Sequence, residues 1–139
     1  MKRFLIFVLF LVACAPQKVT FFTGTDHVDV FVDVADTPEA RAHGFMDTGS
    51  IPSDSGMLFV FPDNQPRTFW MKNVTVPLDM IFVDNAFTVI EVKSRLPPCT
   101  IPLCPVFPSI GPAQYVVETN AGFADAHQIT AGSKMTMQI

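Results

Sequence analysis

Hydrophobic residues in this chain recur at every second position more often than at helical spacing. Between Val28 and Val34, valines at every other position alternate with aspartate, phenylalanine and aspartate. This period-two spacing predicts a β-strand with one buried face. Further strand-length apolar runs occupy Met57–Phe61, Thr68–Asn73, Leu78–Val83, Phe87–Val92, Ala113–Thr119 and Lys134–Ile139. The pattern therefore predicts six to seven short strands.

Two short helices are predicted between these strands. In the first, Thr37 is a suitable N-cap, Pro38 suits the first helical position and Gly44 suits the C-terminal stop. The second spans 120–127, with Asn120 as its cap. Together these elements predict a mainly β (α+β) fold, a compact antiparallel sandwich or barrel-like domain.

The N-terminus has the features of an export signal. Lys2 and Arg3 precede an apolar run of nine residues, Phe4–Val12, which is too short for a membrane-spanning helix of about twenty residues. The ending Leu11–Cys14 resembles the lipobox of bacterial lipoproteins. The resemblance implies cleavage before Cys14 and lipid attachment to it, whereas an ordinary secretion signal is the alternative. We thus expect an export signal at 1–13, a lipidated cysteine and tether at 14–27, and one β-rich domain at 28–139.

The charge of the chain indicates which partners it can bind, and the lipobox resemblance indicates where in the cell it is located. Without Lys2 and Arg3 the chain has 7 basic and 13 acidic residues, a formal charge of −6. Because nucleic-acid surfaces are anionic, this excess of acids argues against nucleic-acid binding. Ala15, rather than aspartate, follows Cys14, so nothing argues for retention at the inner membrane. We expect a lipid-anchored protein of a bacterial envelope that faces the periplasm. We expect it at the outer membrane rather than at the inner membrane.

Two cysteines remain besides Cys14. Cys99 and Cys104 lie in a proline-rich stretch, and an isolated pair in an oxidising compartment predicts a disulfide. A redox or metal-binding dithiol is the alternative. Four intervening residues are more than the usual two of such motifs.

The segment "FWMKNVTVPLDMIFVD", residues 69–84, is the most informative stretch. If its two apolar runs formed a hairpin, Trp70 would face Ile81 and Lys72 would face Asp79. The Lys72–Asp79 pair would then be a cross-strand ion pair beside an aromatic side chain. Such a pair contributes only about 0.2–1 kcal/mol, so stability alone is a weak reason for its presence. The linking Val-Thr-Val-Pro is poor turn chemistry, and a wider connection would separate the charges.

Several motifs together resemble one protein family, the domain of unknown function 192 family. The resemblance rests on "ARAHGFM", "GMLFVFP", "FWMKNVTVPLDMIFVD", the cysteine pair and "PAQYVVETNAG", in that order along the chain. It covers nearly all of the chain after residue 28. The resemblance implies a small, β-rich, often exported or lipid-anchored domain, without an established reaction.

Candidate site residues follow from the polar positions in these motifs. Trp70, Lys72, Asn73 and Asp79 supply an aromatic platform with polar groups of both signs, a combination that suits a small ligand, a sugar or an envelope polymer. Arg41 and Glu118 are weaker associates of this predicted binding site. One alternative is a hydrolase or transferase using Lys72 and Asp79 for proton transfer, and a second is a structural protein–protein interaction module.

Catalytic and metal motifs are not evident in the sequence. It contains no Gly-x-Ser-x-Gly elbow, paired-histidine metal motif or phosphate-binding loop. Its seven methionines could suggest copper(I) binding, but methionine commonly fills cores. We therefore predict no cofactor, no metal and no catalytic residue.

Overall fold

The computed structural model describes residues 15–139 and contains seven strands and two short helices. The elements are β1 (Lys18–Thr23), β2 (Asp26–Ala35), α1 (Pro38–His43), β3 (Ser55–Trp70), β4 (Leu78–Val83), β5 (Val89–Leu96), β6 (Val106–Asn120), α2 (Phe123–Ala126) and β7 (Lys134–Gln138). The predicted export signal and Cys14 lie outside the described residues. None of the helices within 15–139 is long and apolar enough to cross a membrane.

All seven strands form one curled sheet in the order β5-β4-β6-β3-β2-β1-β7. Only the β2–β3 pair is parallel. The two edges approach each other, since the Met135 N–H donates to the Phe87 carbonyl at 2.9 Å and the Val89 N–H donates to the Ser133 carbonyl at 2.9 Å. The result is a half-barrel, which confirms the predicted mainly β fold.

The sheet separates two hydrophobic cores. Because neighbouring strand residues point to opposite faces, Val117 belongs to the first core and Val116 to the second. The first core has members from all seven strands and fills the curl of the sheet. The second lies on the other face, where Ala40 of α1, Phe45 and Met71 cover it. The candidate site lies on this second face.

The hairpin considered for residues 69–84 does not form, and the wider connection separates Lys72 from Asp79. The first run enters the hairpin segment at the end of the long strand β3, which stops at Trp70 and in which Phe69 pairs with Phe107 of β6. The second run, β4, lies between β5 and β6, and all six of its residues are buried. A strand buried on both faces suits the middle of a sheet rather than one arm of a half-exposed hairpin.

The structure differs from the prediction in whole strands as well as in element ends, since β3 joins the predicted strand Met57–Phe61 to the start of the next predicted strand. The expected tether at 14–27 contains β1, whose Val19 and Phe21 are fully buried. Helix α1 begins as predicted, with Thr37 Oγ1 accepting from the Ala40 N–H at 3.1 Å. Helix α2 is shorter than predicted, and Gly122 in a left-handed conformation replaces Asn120 as its N-cap.

Candidate binding site

Four of the six predicted binding residues line one cavity: Arg41, Trp70, Lys72 and Glu118. We call it the Glu118 cavity. It lies between the C-terminal ends of α1, β3 and β6, and its volume is about 30 Å³. A water molecule needs about 10–15 Å³ measured in this way. The cavity therefore has room for one small chemical group rather than for a whole ligand.

Glu118 forms the buried end of this cavity. On β6 it pairs with Met57 of β3 and Met80 of β4, so apolar neighbours flank it on both sides. Only 4% of the residue is exposed. Within residues 15–139 its carboxyl has no hydrogen-bond or ion-pair partner, and burial raises its pKa to about 8. Glu118 is thus mainly protonated and uncharged at neutral pH.

Arg41 lies on α1 at the side of the cavity. Its guanidinium donates to the Asp36 carbonyl at 2.7 Å and to the Val60 carbonyl at 2.8 Å, and it lies 5.1 Å from the Phe61 ring centre. These contacts fix its position but do not neutralise its charge, because carbonyl oxygens are not anions. Among the described residues no carboxylate pairs with Arg41, so its positive charge remains available to a ligand.

Lys72 and Trp70 form the rim of the cavity. The Lys72 ammonium lies 5.0 Å from the Trp70 ring centre, a distance at which a cation and an aromatic face attract each other. Trp70 is 45% exposed and offers part of its ring to solvent. The segment carrying Lys72 is fixed by the cysteine loop, because Cys99 forms β-bridges with Lys72 and Val74.

The predicted disulfide is present in the structure. Cys99 and Cys104 are joined, and the Cys99 carbonyl accepts from the Asn73 N–H at 2.8 Å. The small disulfide loop therefore braces the backbone that presents Lys72 to the cavity.

Asn73 does not line the Glu118 cavity. It is an exposed turn residue with φ 55°, a left-handed conformation that asparagine tolerates better than most residues. Its carbonyl accepts from the Asp47 N–H at 3.0 Å. The geometry gives Asn73 a role in the turn that leads from the cavity into β4.

Asp79 is also absent from the cavity. It is fully buried, and its carboxylate accepts from three backbone N–H groups: Arg95 at 2.8 Å, Gly122 at 3.0 Å and Ala124 at 2.9 Å. It faces the first core, because it lies next to Met80, which packs into the second. Lys72 and Asp79 consequently do not form the proton-transfer pair considered from the sequence.

Several other lining residues were not predicted, among them His43, Phe59 and Phe69. Gly44 permits the close packing here, since a Cβ at its position would lie 3.3 Å from the Phe59 ring. The "ARAHGFM" motif was a usable signal, because it places Arg41, His43 and Gly44 together at the end of α1. The aromatic residues gave no such signal, as they resemble ordinary core positions.

The charges of the site favour an anionic group. At neutral pH the cavity is bordered by the cations Arg41 and Lys72, while Glu118 is uncharged and can donate a hydrogen bond. Within the described part of the chain, no group of three or more His, Cys, Asp or Glu side chains could hold a metal ion.

A family model matches residues 19–137, which includes every residue of this site. The model is that of DUF192, described as an uncharacterized ACR. The chain belongs to the DUF192 family. No functionally curated protein matches it, so DUF192 membership defines the domain without assigning a reaction.

Two solved structures are similar to this DUF192 domain over most of its length. A candidate transcription regulator from Sinorhizobium meliloti 1021 is 30% identical, with a TM-score of 0.82 and coverage of 91% of this chain and 96% of that one. A protein of unknown function from Novosphingobium aromaticivorans DSM 12444 is 28% identical, with a TM-score of 0.82 and coverage of 89% and 94%. Both likenesses support the half-barrel as the fold of this domain.

Proposed function

We propose that this DUF192 domain is a binding module of the bacterial envelope and that the Glu118 cavity is its ligand site. The observation that carries the proposal is the largely buried Glu118 carboxyl, which has no hydrogen-bond partner within residues 15–139 and lies at a cavity bordered by two cations that have no acidic partner in the same range. A ligand that accepts a hydrogen bond from the protonated Glu118 carboxyl would give it a partner that residues 15–139 do not supply.

The ligand class follows from the size and charge of the site. A cavity of about 30 Å³ is far smaller than the roughly 300–1,000 Å³ of pockets that enclose a small molecule. It suits a single carboxylate, while the exposed Trp70 ring outside can stack against the rest of the ligand. A carboxylate-bearing sugar of an envelope polymer satisfies both conditions, because its ring face is apolar and its acid would enter a cavity whose lining includes Lys72 and Arg41.

The first test is a thermal-shift and NMR titration with glucuronate, using glucose as the neutral control. We expect glucuronate alone to bind, and Lys72→Ala to abolish the shift. Glu118→Gln should retain binding at pH 7, because glutamine resembles the protonated acid in shape and hydrogen bonding. Equal binding of glucose and glucuronate, or binding unaffected by Lys72→Ala, would contradict the proposal.

The membrane anchor is part of the same proposal. The Val32 N–H donates to the Gln17 carbonyl at 3.0 Å, so the folded domain begins only three residues after Cys14. A lipid on Cys14 would therefore hold the domain close to the membrane surface, and two or more acyl chains would make the anchoring stable. Cys14→Ala should move the protein from the membrane to the soluble fraction of fractionated cells. Unchanged membrane association in that variant would count against lipidation.

The raised pKa of Glu118 favours a second candidate, a hydrolase in which Glu118 is the general acid. An acid with a pKa of about 8 remains protonated at neutral pH and can protonate a leaving group. In this case Glu118→Gln would abolish turnover of a chromogenic glycoside or ester, whereas a pure binding module would show no turnover. The regulatory role named for the S. meliloti protein is not proposed here, because 13 acidic against 9 basic residues disfavour nucleic-acid binding.

A further inference from the structure

The segment 97–112 differs from the rest of the surface in its chemistry. It contains six prolines and no charged residue. Several of its large aliphatic side chains point into solvent, with Ile101 61%, Leu103 87% and Val106 57% exposed. Single exposed apolar residues are normal on a protein surface, but several in one uncharged segment indicate a contact surface.

These side chains belong to the same part of the molecule as the cavity rim. Val106 pairs with Trp70 across β6 and β3, and the disulfide loop that carries Ile101 and Leu103 begins at Cys99, which bridges to Lys72. We call Trp70, Ile101, Leu103 and Val106 the apolar rim.

We propose that the apolar rim inserts into the interfacial region of a lipid bilayer. This inference goes beyond the proposed ligand site and does not rest on it, although the two surfaces share Trp70 and Lys72. The small size of the rim favours a lipid surface over a protein partner, because a specific protein interface typically has about 20–30 residues on each side. A bilayer interface requires no such matching surface.

The backbone of the segment also suits a partly apolar environment. Proline has no N–H, so six prolines in sixteen positions leave fewer donors that would lose water on insertion. The disulfide and the prolines hold the loop in shape before contact, which lowers the entropy cost of ordering it. Trp70 suits the boundary between headgroups and acyl chains, where tryptophan is enriched. Lys72, stacked on Trp70, can keep its charge among the headgroups.

The chain supplies its own reporter, because Trp70 is its single tryptophan. The experiment titrates the full chain with phosphatidylcholine vesicles whose acyl chains are brominated, which quenches an inserted indole. We expect quenching and a blue shift of Trp70 emission on neutral vesicles. The predicted leader could itself bind vesicles, but quenching of Trp70 reports insertion of the rim.

Leu103→Asp provides the decisive variant, because a side chain that is 87% exposed can be changed without disturbing the fold. It should reduce the inserted fraction about tenfold or more, the factor expected for losing one buried leucine. Ile139→Asp is the matched control, since it alters an exposed aliphatic residue outside the rim and should leave quenching unchanged.

Two results would overturn the proposal. One is the absence of Trp70 quenching on every vesicle. The other is quenching that requires anionic lipid and is unaffected by Leu103→Asp, because contact would then be electrostatic and made by Lys72. Neither result would alter glucuronate binding, so failure of this inference is distinguishable from failure of the proposed ligand site.

Discussion

Asp79 and Glu118 are two buried carboxyl groups on adjacent strands of one sheet, and their surroundings are opposite. Asp79 faces the first core and accepts three backbone hydrogen bonds. Glu118, which pairs with Met80 across β4 and β6, faces the other side and, within the described residues, accepts none. Both groups are largely buried, but they differ in their partners and in the face of the sheet on which they lie.

The partners decide what each group does. The Asp79 carboxyl accepts from the N–H groups of Arg95, Gly122 and Ala124, so it ties β5 and the start of α2 to β4, the second strand from that edge of the sheet. These three hydrogen bonds compensate for the cost of burying the Asp79 carboxyl, so a structural role is enough to explain it. Glu118 has no such compensation and lies at a cavity, which is the setting in which perturbed acids serve binding or catalysis.

The largest effect is expected from Asp79→Ala. The substitution leaves three backbone N–H groups without their acceptor, and each unsatisfied buried donor costs about 1–3 kcal/mol. Because water can enter the space left by the side chain, we expect a total loss of about 3–5 kcal/mol. Urea denaturation followed by circular dichroism measures this loss.

Glu118→Gln is the matched control for that experiment, since it changes a buried acid that has no hydrogen bond to lose. At pH 4, where Glu118 is largely protonated in both the folded and the unfolded chain, its unfolding free energy should stay close to that of the unchanged chain. The comparison would fail if Asp79→Ala unfolded at the same urea concentration as the unchanged chain, or if both substitutions were equally destabilising.

The second effect is a pH dependence of the free energy of unfolding, and it comes from Glu118 itself. Burial raises its pKa from 4.5 to about 8, so between these values the folded chain holds a proton that the unfolded chain has lost. The free energy of unfolding that this bound proton contributes is at its maximum below about pH 4.5. It is lost progressively as the pH rises to about 8. The expected slope is about 1.4 kcal/mol per pH unit.

Melting temperatures of the unchanged chain and Glu118→Gln between pH 4.5 and 9 test this. As the pH rises to about 8, the melting temperature of the unchanged chain should fall relative to that of Glu118→Gln. Above about pH 8 the difference between the two melting temperatures should stay constant. Parallel curves would mean that Glu118 ionises normally, and the cavity would then contain a charged carboxylate that repels anions.

The comparison also shows which features the sequence could predict. Helix α1 was predictable because Thr37, Pro38 and Gly44 act within one turn of their own positions. The hairpin was not, because the partner of Phe69 is Phe107, far along the chain, and no local pattern encodes such pairing. Strand β1 was missed, although Val19 and Phe21 are fully buried.

The candidate site was predictable as a set of residues rather than as an arrangement. Arg41, Lys72 and Glu118 come from three separate motifs, and Arg41 and Glu118 were predicted only as weaker associates of Lys72. Asp79 was grouped with them because residue type cannot distinguish an acid satisfied by N–H groups from an unsatisfied one. That distinction needs the fold, and whether the four cavity residues bind a ligand stays a prediction.

The smallest effect is expected from removing the disulfide. Its removal should loosen the cavity without changing either carboxyl group. Replacing Cys99 and Cys104 with alanine removes the cross-link of a short loop, with an expected cost of about 2 kcal/mol in the chain-entropy description. The same change should loosen the segment 72–74, because the backbone of Cys99 forms β-bridges with both Lys72 and Val74.

We therefore expect weaker glucuronate binding and faster amide exchange at Asn73, whose N–H donates to the Cys99 carbonyl. Amides held by Asp79, such as that of Ala124, should keep their relative protection because they lie on the opposite face. Hydrogen exchange measured by NMR follows both amides in one experiment. If protection at Asn73 and Ala124 fell together, the disulfide would stabilise the whole sheet, and the two faces would not be independent in the way that the contrast between Asp79 and Glu118 requires.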